Sequence, residues 1–327
     1  MKLVTLASVV VAIVILAISH LLSTRSRAPT ATRSERPTVT KPIAGRTEKR
    51  KAQEPPQRAT LVSVDWDRSF RESHDYFNFV LTAAAKALAG DGRAALYVSR
   101  ALTTCKLETT LYGNATNPEV AFEADLATKP SAPRWVLDRA RNEFKACNGF
   151  FNGHVFASLP QQSGDYESIA YWRDLAYRDG DPIAEAIHAG LGMARIAPGA
   201  GDSYAEARSA AQLDLNSAVI SQDPGAIFTV GRVLLDAHTN GPLDGVAVTI
   251  AACDMGYDCS ANNEAIFGQC AASDTCTAGV TWADIITQGI GAAAYAKAYA
   301  RAQQFEDAAT RGDNSALLEF VQLGGTR

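Results

Sequence analysis

Six cysteines are the residues whose type and spacing say most about chemistry. Cys253, Cys259, Cys270 and Cys276 cluster with gaps of five, ten and five residues, and Cys105 and Cys147 stand apart. Paired thiolates on structural zinc usually lie two to four residues apart, so the spacing favours disulfides over metal. Cys259 and Cys270 flank one expected helix. Eleven residues at the helical rise separate them by about 16 Å, beyond disulfide reach. Local pairs follow, Cys253–Cys259 and Cys270–Cys276, which leaves Cys105 to join Cys147. No catalytic signature stands beside them. His20, His74, His154, His188 and His238 include no pair at ligand spacing, and neither a Gly-x-Ser-x-Gly elbow nor a phosphate loop is present. Gly190-Leu191-Gly192 reads as a packing contact. Glu143, Glu167 and Glu185 lie near apolar residues that can raise a carboxyl pKa, the one opening towards acid–base chemistry.

These residues must be positioned by helices. In Trp172–Ala194, Trp172, Leu175 and Ala176 form one apolar stripe, and Ile183, Ala186, Ile187, Gly190, Leu191 and Ala194 form a second. Between them, Gly180 suits a helix end, Asp181 an N-cap and Pro182 a first helical position. The stripes meet only if the chain reverses there. The same turn recurs at Gly90-Asp91, Gln222-Asp223 and Gly312-Asp313, and a degenerate version at Gly256-Tyr257. A hairpin that cannot bury its outer face needs stacked copies. The expected fold is all-α: antiparallel helix hairpins stacked as a short α-solenoid.

The pattern of small residues, Gly-Asp turn and small-residue helix, clearest in Ala308-Ala309-Thr310-Arg311-Gly312-Asp313-Asn314-Ser315-Ala316, resembles the Sel1-like repeat. That family is a divergent relative of the tetratricopeptide repeat. The turn aspartates are spaced 90, 42 and 90 residues apart, so one gap matches a single repeat and two would each hide a degenerate unit. The resemblance implies a solenoid that binds other proteins and implies no activity.

Charge divides the 327 residues. Residues 1–58 hold eleven Lys/Arg against three acids, and the remainder holds twenty against 32. An acidic body argues against nucleic-acid binding, since phosphates need a basic surface. Residues 3–22 are almost wholly apolar and long enough for a bilayer core, so a signal anchor is expected at 1–22. A cleaved signal peptide, with Ala17-Ile18-Ser19 as its site, is the competing reading. Residues 23–58 form a basic linker rich in Pro, Thr, Ser and Arg with nothing to bury, the composition of a disordered spacer. The folded body is expected as an N-terminal helical lobe at 59–160 and a repeat lobe at 161–327. Arg25, Arg27, Arg33, Arg36 and Lys41 favour a cytoplasmic body by the positive-inside rule. The even cysteine count favours export. Export decides the expectation: a single-pass protein of a bacterial inner membrane with its body in the periplasm.

The function expected is binding of a protein partner in the cell envelope through the solenoid surface, with no catalytic residue, metal or small-molecule cofactor. Candidate contacts are Tyr97, Arg100, His188, Arg195 and Arg232, polar or aromatic residues in otherwise small-residue helices. The rival is an envelope hydrolase that cuts cell-wall glycan with paired carboxylates.

Overall fold

A computed structural model describes residues 64–129, 132–151, 168–195, 202–236, 242–271 and 276–323. The apolar run 3–22 and the basic stretch 23–58 lie outside them. Among the described residues there is no strand, and no helix is long and apolar enough to cross a membrane.

The hairpins set the architecture. The first pairs α2 (Tyr76–Ala87) with α3 (Gly92–Tyr112), after a short α1 (Trp66–Arg71). The second pairs α7 (Ile169–Arg178) with α8 (Pro182–Ala194), and the third α9 (Asp202–Ile220) with α10 (Pro224–Asp236). The last pairs α14 (Ala292–Arg311) with α15 (Asn314–Phe320). All four reverse by one device. The residue before the turn aspartate has positive φ: +95° at Gly90, +74° at Gly180, +66° at Gly312, and +54° at Gln222, which lacks glycine's freedom. The aspartate then caps the next helix, with Asp91, Asp181 and Asp223 each accepting a backbone N–H at 2.9 Å and Asp313 at 3.1 Å. The N–H groups of Asp91, Asp181 and Asp313 close back onto Lys86, Ala176 and Ala308, so the carbonyls that end the first helix are satisfied.

The degenerate unit keeps the closure but moves the cap away from the turn. Between α11 (Pro242–Asp254) and α12 (Glu264–Ala271), Gly256 has φ +107° and the Tyr257 N–H reaches Ala252 O at 2.9 Å. The next helix waits until Glu264, where the Asn263 side chain accepts from Ala265 N. Helix α13 (Trp282–Ile290) then leads into α14 across Gly291.

Each hairpin packs on the next. Helix α3 lies along α7, α8 along both α9 and α10, α10 along α11, and α11 along α14. Gly231 and Gly245 let α10 and α11 touch backbone to backbone, since a Cβ at Gly231 would stand 2.8 Å from Thr249 N. Arg93 at the start of α3 clasps two turns at once, pairing with Asp181 and, at 2.6 Å, with Asp223. Helix α15 returns to α9, where Leu323 N–H donates to Gln212 at 2.7 Å and Gln212 donates to Val321 O at 2.9 Å.

Residues Val62–Arg327 form one compact unit. A single buried cluster runs from Trp66 to Leu323, so residues on both sides of the expected 160/161 boundary share one core. A small second cluster of Phe122, Leu126 and Phe144 joins α4 (Pro118–Ala127) to α5 (Arg134–Ala146) beside the far end of α3. The Cys105–Cys147 disulfide links α3 to the junction of α5 with the one-turn α6 (Asn148–Phe151). Cys253–Cys259 and Cys270–Cys276 are also bonded, and no described cysteine is free.

Candidate functional site

The second helices of the hairpins leave a groove of about 970 Å³ along one side of the stack. Ile187, Leu191 and Ala194 of α8, Phe228 and Val233 of α10, and Ala265 of α12 line it. The stripe read on α8 therefore serves two surfaces. Ile183 and Ala186 are buried against neighbouring helices, while Ile187 and Leu191 are half-buried and face the groove. A second, more polar cleft of about 720 Å³ adjoins it between α1, α5 and the α11–α12 connection. Arg100, Tyr257 and Glu264 line both and form the divide between them.

That divide is held firmly. Tyr257 stacks on Phe228 with ring centroids 4.4 Å apart, and Phe228 packs edge-on against Trp282 at 5.2 Å. The Cys253–Cys259 bond fixes the turn, and Trp282 N–H donates to Cys259 O at 3.0 Å. Arg139 of α5 donates to Asn262 O at 2.7 Å, lies 4.3 Å over the Phe267 ring and pairs with Glu143 at 3.0 Å. Asn263 donates to Asp258 O at 2.8 Å.

Arg100 stands on α3 in the floor of the divide. Its guanidinium donates to the Tyr97 hydroxyl at 3.3 Å, and Tyr97 donates to Asp67 at 2.6 Å. Asp67 pairs with Arg71 at 2.8 Å, and Arg71 reaches on to Asp258. Burial opposes the Arg100 charge, yet nearby Tyr97, Glu264, Tyr257 and Asp67 hold its pKa above the ordinary value. Arg232 of α10 lies 5.3 Å over the Trp282 ring and also lines the groove.

The other candidate contacts sit elsewhere. Tyr97 is only 1% exposed and belongs to the core, because its ring packs on Phe70 and its hydroxyl is taken up by Asp67. Burial pushes its phenol pKa far up. His188 stacks on Tyr177 at 4.0 Å, and its Nδ1 lies 2.7 Å from Asp214, which also accepts from the Tyr177 hydroxyl at 3.1 Å. That trio bridges α7, α8 and α9 and does not line the groove. Arg195 caps the end of α8 and is exposed, one residue beyond the lining at Ala194.

Among the carboxylates, Glu143 lines the polar cleft, and burial raises its pKa against the opposing pull of Arg139. Glu167 lies outside the described residues, and Glu185 is in the first turn of α8. Sequence reasoning missed Glu108. One turn past Cys105, it is brought towards Glu143, one turn before Cys147, by the disulfide that joins those helices. Burial first, and Glu143 second, push its carboxyl up to about 7, and its Oε2 is buried without a hydrogen-bond partner among the described residues. The disulfide offered the signal, since pairing Cys105 with Cys147 on antiparallel helices sets these two acids side by side.

Among the described residues no three His, Cys, Asp or Glu side chains gather closely enough to hold a metal ion. Compared with known protein families, curated proteins and solved structures, the chain matches none, so its function has to be argued from the groove itself.

Proposed function

We propose that this chain is an exported, membrane-tethered repeat protein, a divergent relative of Sel1-like proteins, that binds a segment of another envelope protein in the groove along α8, α10 and α12. The groove carries the reading: it is open and apolar-floored, and the second helices of the hairpins line it, which is how a stacked helical array presents extended contact area. The recurrent Gly-Asp and Gln-Asp turns support the relationship to Sel1-like repeats. The apolar run 3–22 would supply the tether, and three disulfides fit an oxidising compartment.

Site-specific photo-crosslinking in the native envelope tests it. A crosslinking residue at Ile187 or Val233 should trap one discrete partner, and the same residue at Leu213, 70% exposed on α9, should not. Equal trapping from both faces, or none from the groove, removes the reading. Ile187→Asp should abolish the crosslink and cost the half-buried position less than about 2 kcal/mol of stability.

One observation favours the rival. Glu143, whose pKa burial raises against the pull of Arg139, shares the polar cleft with Glu264, as a glycan-cutting acid and its partner would. Hydrolysis of purified cell-wall glycan that disappears in Glu143→Gln would establish this second reading.

A further inference from the structure

Half of the arginines among the described residues serve internal ion pairs. Arg93, Arg139, Arg141 and Arg301 each lie within 3.1 Å of a carboxylate, and Arg71 bridges two. Arg100 and Arg232 differ. Among the described residues neither has a carboxylate oxygen within 4.0 Å, and both line the groove. Arg100 gives one N–H to Tyr97, and none of its other donors has a protein partner among those residues. It is half-buried, where unmatched donors cost free energy unless a ligand or water meets them. Two guanidiniums without an ion pair line this groove beside the carboxylates of Glu264 and Asp236, and their free donors offer a place for one negative group.

The position of Arg100 narrows the choice. It lines both the apolar groove and the polar cleft, so a chain laid across it has room on either side. A segment that ended at Arg100 would fill one of the two, whereas a segment that runs on past it fills both. Glu264 lines the same divide without an ion-pair partner among the described residues and would repel a run of acids.

We propose, resting on the groove reading, that the partner segment is internal and carries a single Asp or Glu whose side chain sits on the Arg100 guanidinium. Apolar residues on one side of that acid fill the groove of α8, α10 and α12. Polar residues on its other side lie in the cleft of α1 and α5. Arg100 offers two parallel N–H donors to the carboxylate, and Arg232 adds longer-range attraction from the apolar side.

The test uses the full chain in detergent and a displayed library of random twelve-residue peptides. Selected peptides should share one acid beside an apolar run. Replacing that acid by its amide should weaken binding roughly 10–100-fold, and amidating the peptide's C-terminus should change nothing. Against Arg100→Gln protein, the acidic peptide and its amide form should bind alike. Should that variant unfold, Arg100→Lys, which keeps charge and loses the paired geometry, must weaken the acidic peptide and spare its amide form. The inference is overturned if selected peptides lack a shared acid, if C-terminal amidation abolishes binding, or if the amide penalty persists in the Arg100 variant. In those cases groove binding still stands where Ile187→Asp abolishes peptide capture. If no peptide is selected at all, the groove reading falls and this inference with it.

Discussion

Arg93→Met should be among the most damaging single changes in the folded body. The guanidinium of Arg93 is 29% exposed and meets Asp181, whose side chain is 2% exposed, and Asp223, at 24%. Removing it leaves the buried Asp181 carboxylate with the Ala184 N–H and no cation. Breaking a buried pair in this way costs about 3–5 kcal/mol, well above the 0.5–2 kcal/mol of a helix cap alone. The residue also joins three hairpins, so its loss weakens two interfaces of a stack whose stability is a sum over neighbours. Urea unfolding followed by far-UV circular dichroism measures the change, read as a lower midpoint. The second arm is a cycle with Asp181→Asn: the double variant should lose at least about 1 kcal/mol less than the two single losses added together. A loss under about 1 kcal/mol for Arg93→Met, or singles that add within about 0.5 kcal/mol, would refute the clasp and reduce it to a surface pair.

Three further outcomes follow from other contacts. Glu108, with Glu143, Asp125 and Lys129 around it, holds its proton in the folded state up to about pH 7 while the unfolded chain releases it near the ordinary carboxyl value. Its contribution is therefore intact at low pH and lost as pH rises towards 7. Glu108→Gln should match the parent below about pH 4 and exceed it at pH 8 by about 1–2 kcal/mol, after discounting for partial exposure; equal stability at both pH values would contradict this. Replacing Cys105 and Cys147 by Ser releases a loop with a sequence separation of 42 and should cost about 4 kcal/mol, against about 2 for either pair separated by 6, compared by thermal melts. Gly231→Ala should destabilise by about 1–3 kcal/mol by forcing α10 from α11, whereas Gly192→Ala, where a Cβ meets nothing within 4 Å, should stabilise by about 0.5–1.

The hairpins were legible because turn chemistry is local. A residue that tolerates positive φ, an aspartate that caps and an apolar stripe on each side are all contained in about twenty residues. The groove was only half legible, for two reasons. An apolar stripe does not say which of its residues face a neighbouring helix and which face open space, so Ile183 and Ile187 looked alike in sequence. Polarity within a small-residue helix does not separate a residue facing the groove, such as Arg100, from Tyr97, which is turned into the core by its bond to Asp67. The clasp between Arg93, Asp181 and Asp223 joins residues 88 and 130 positions apart, a distance over which local pattern carries no information.

Six cysteines can pair in fifteen ways, and the arrangement here has a property none of the other fourteen shares. Each cysteine is bonded to its immediate neighbour in the chain: first to second, third to fourth, fifth to sixth. No bridge encloses or crosses another. An oxidase that joins thiols in the order a polymer emerges from a translocation pore would produce this arrangement directly, without any wrong bond to undo. Such a chain can mature where oxidants are available and isomerases are scarce, and each closed ring is complete before the next pair arrives.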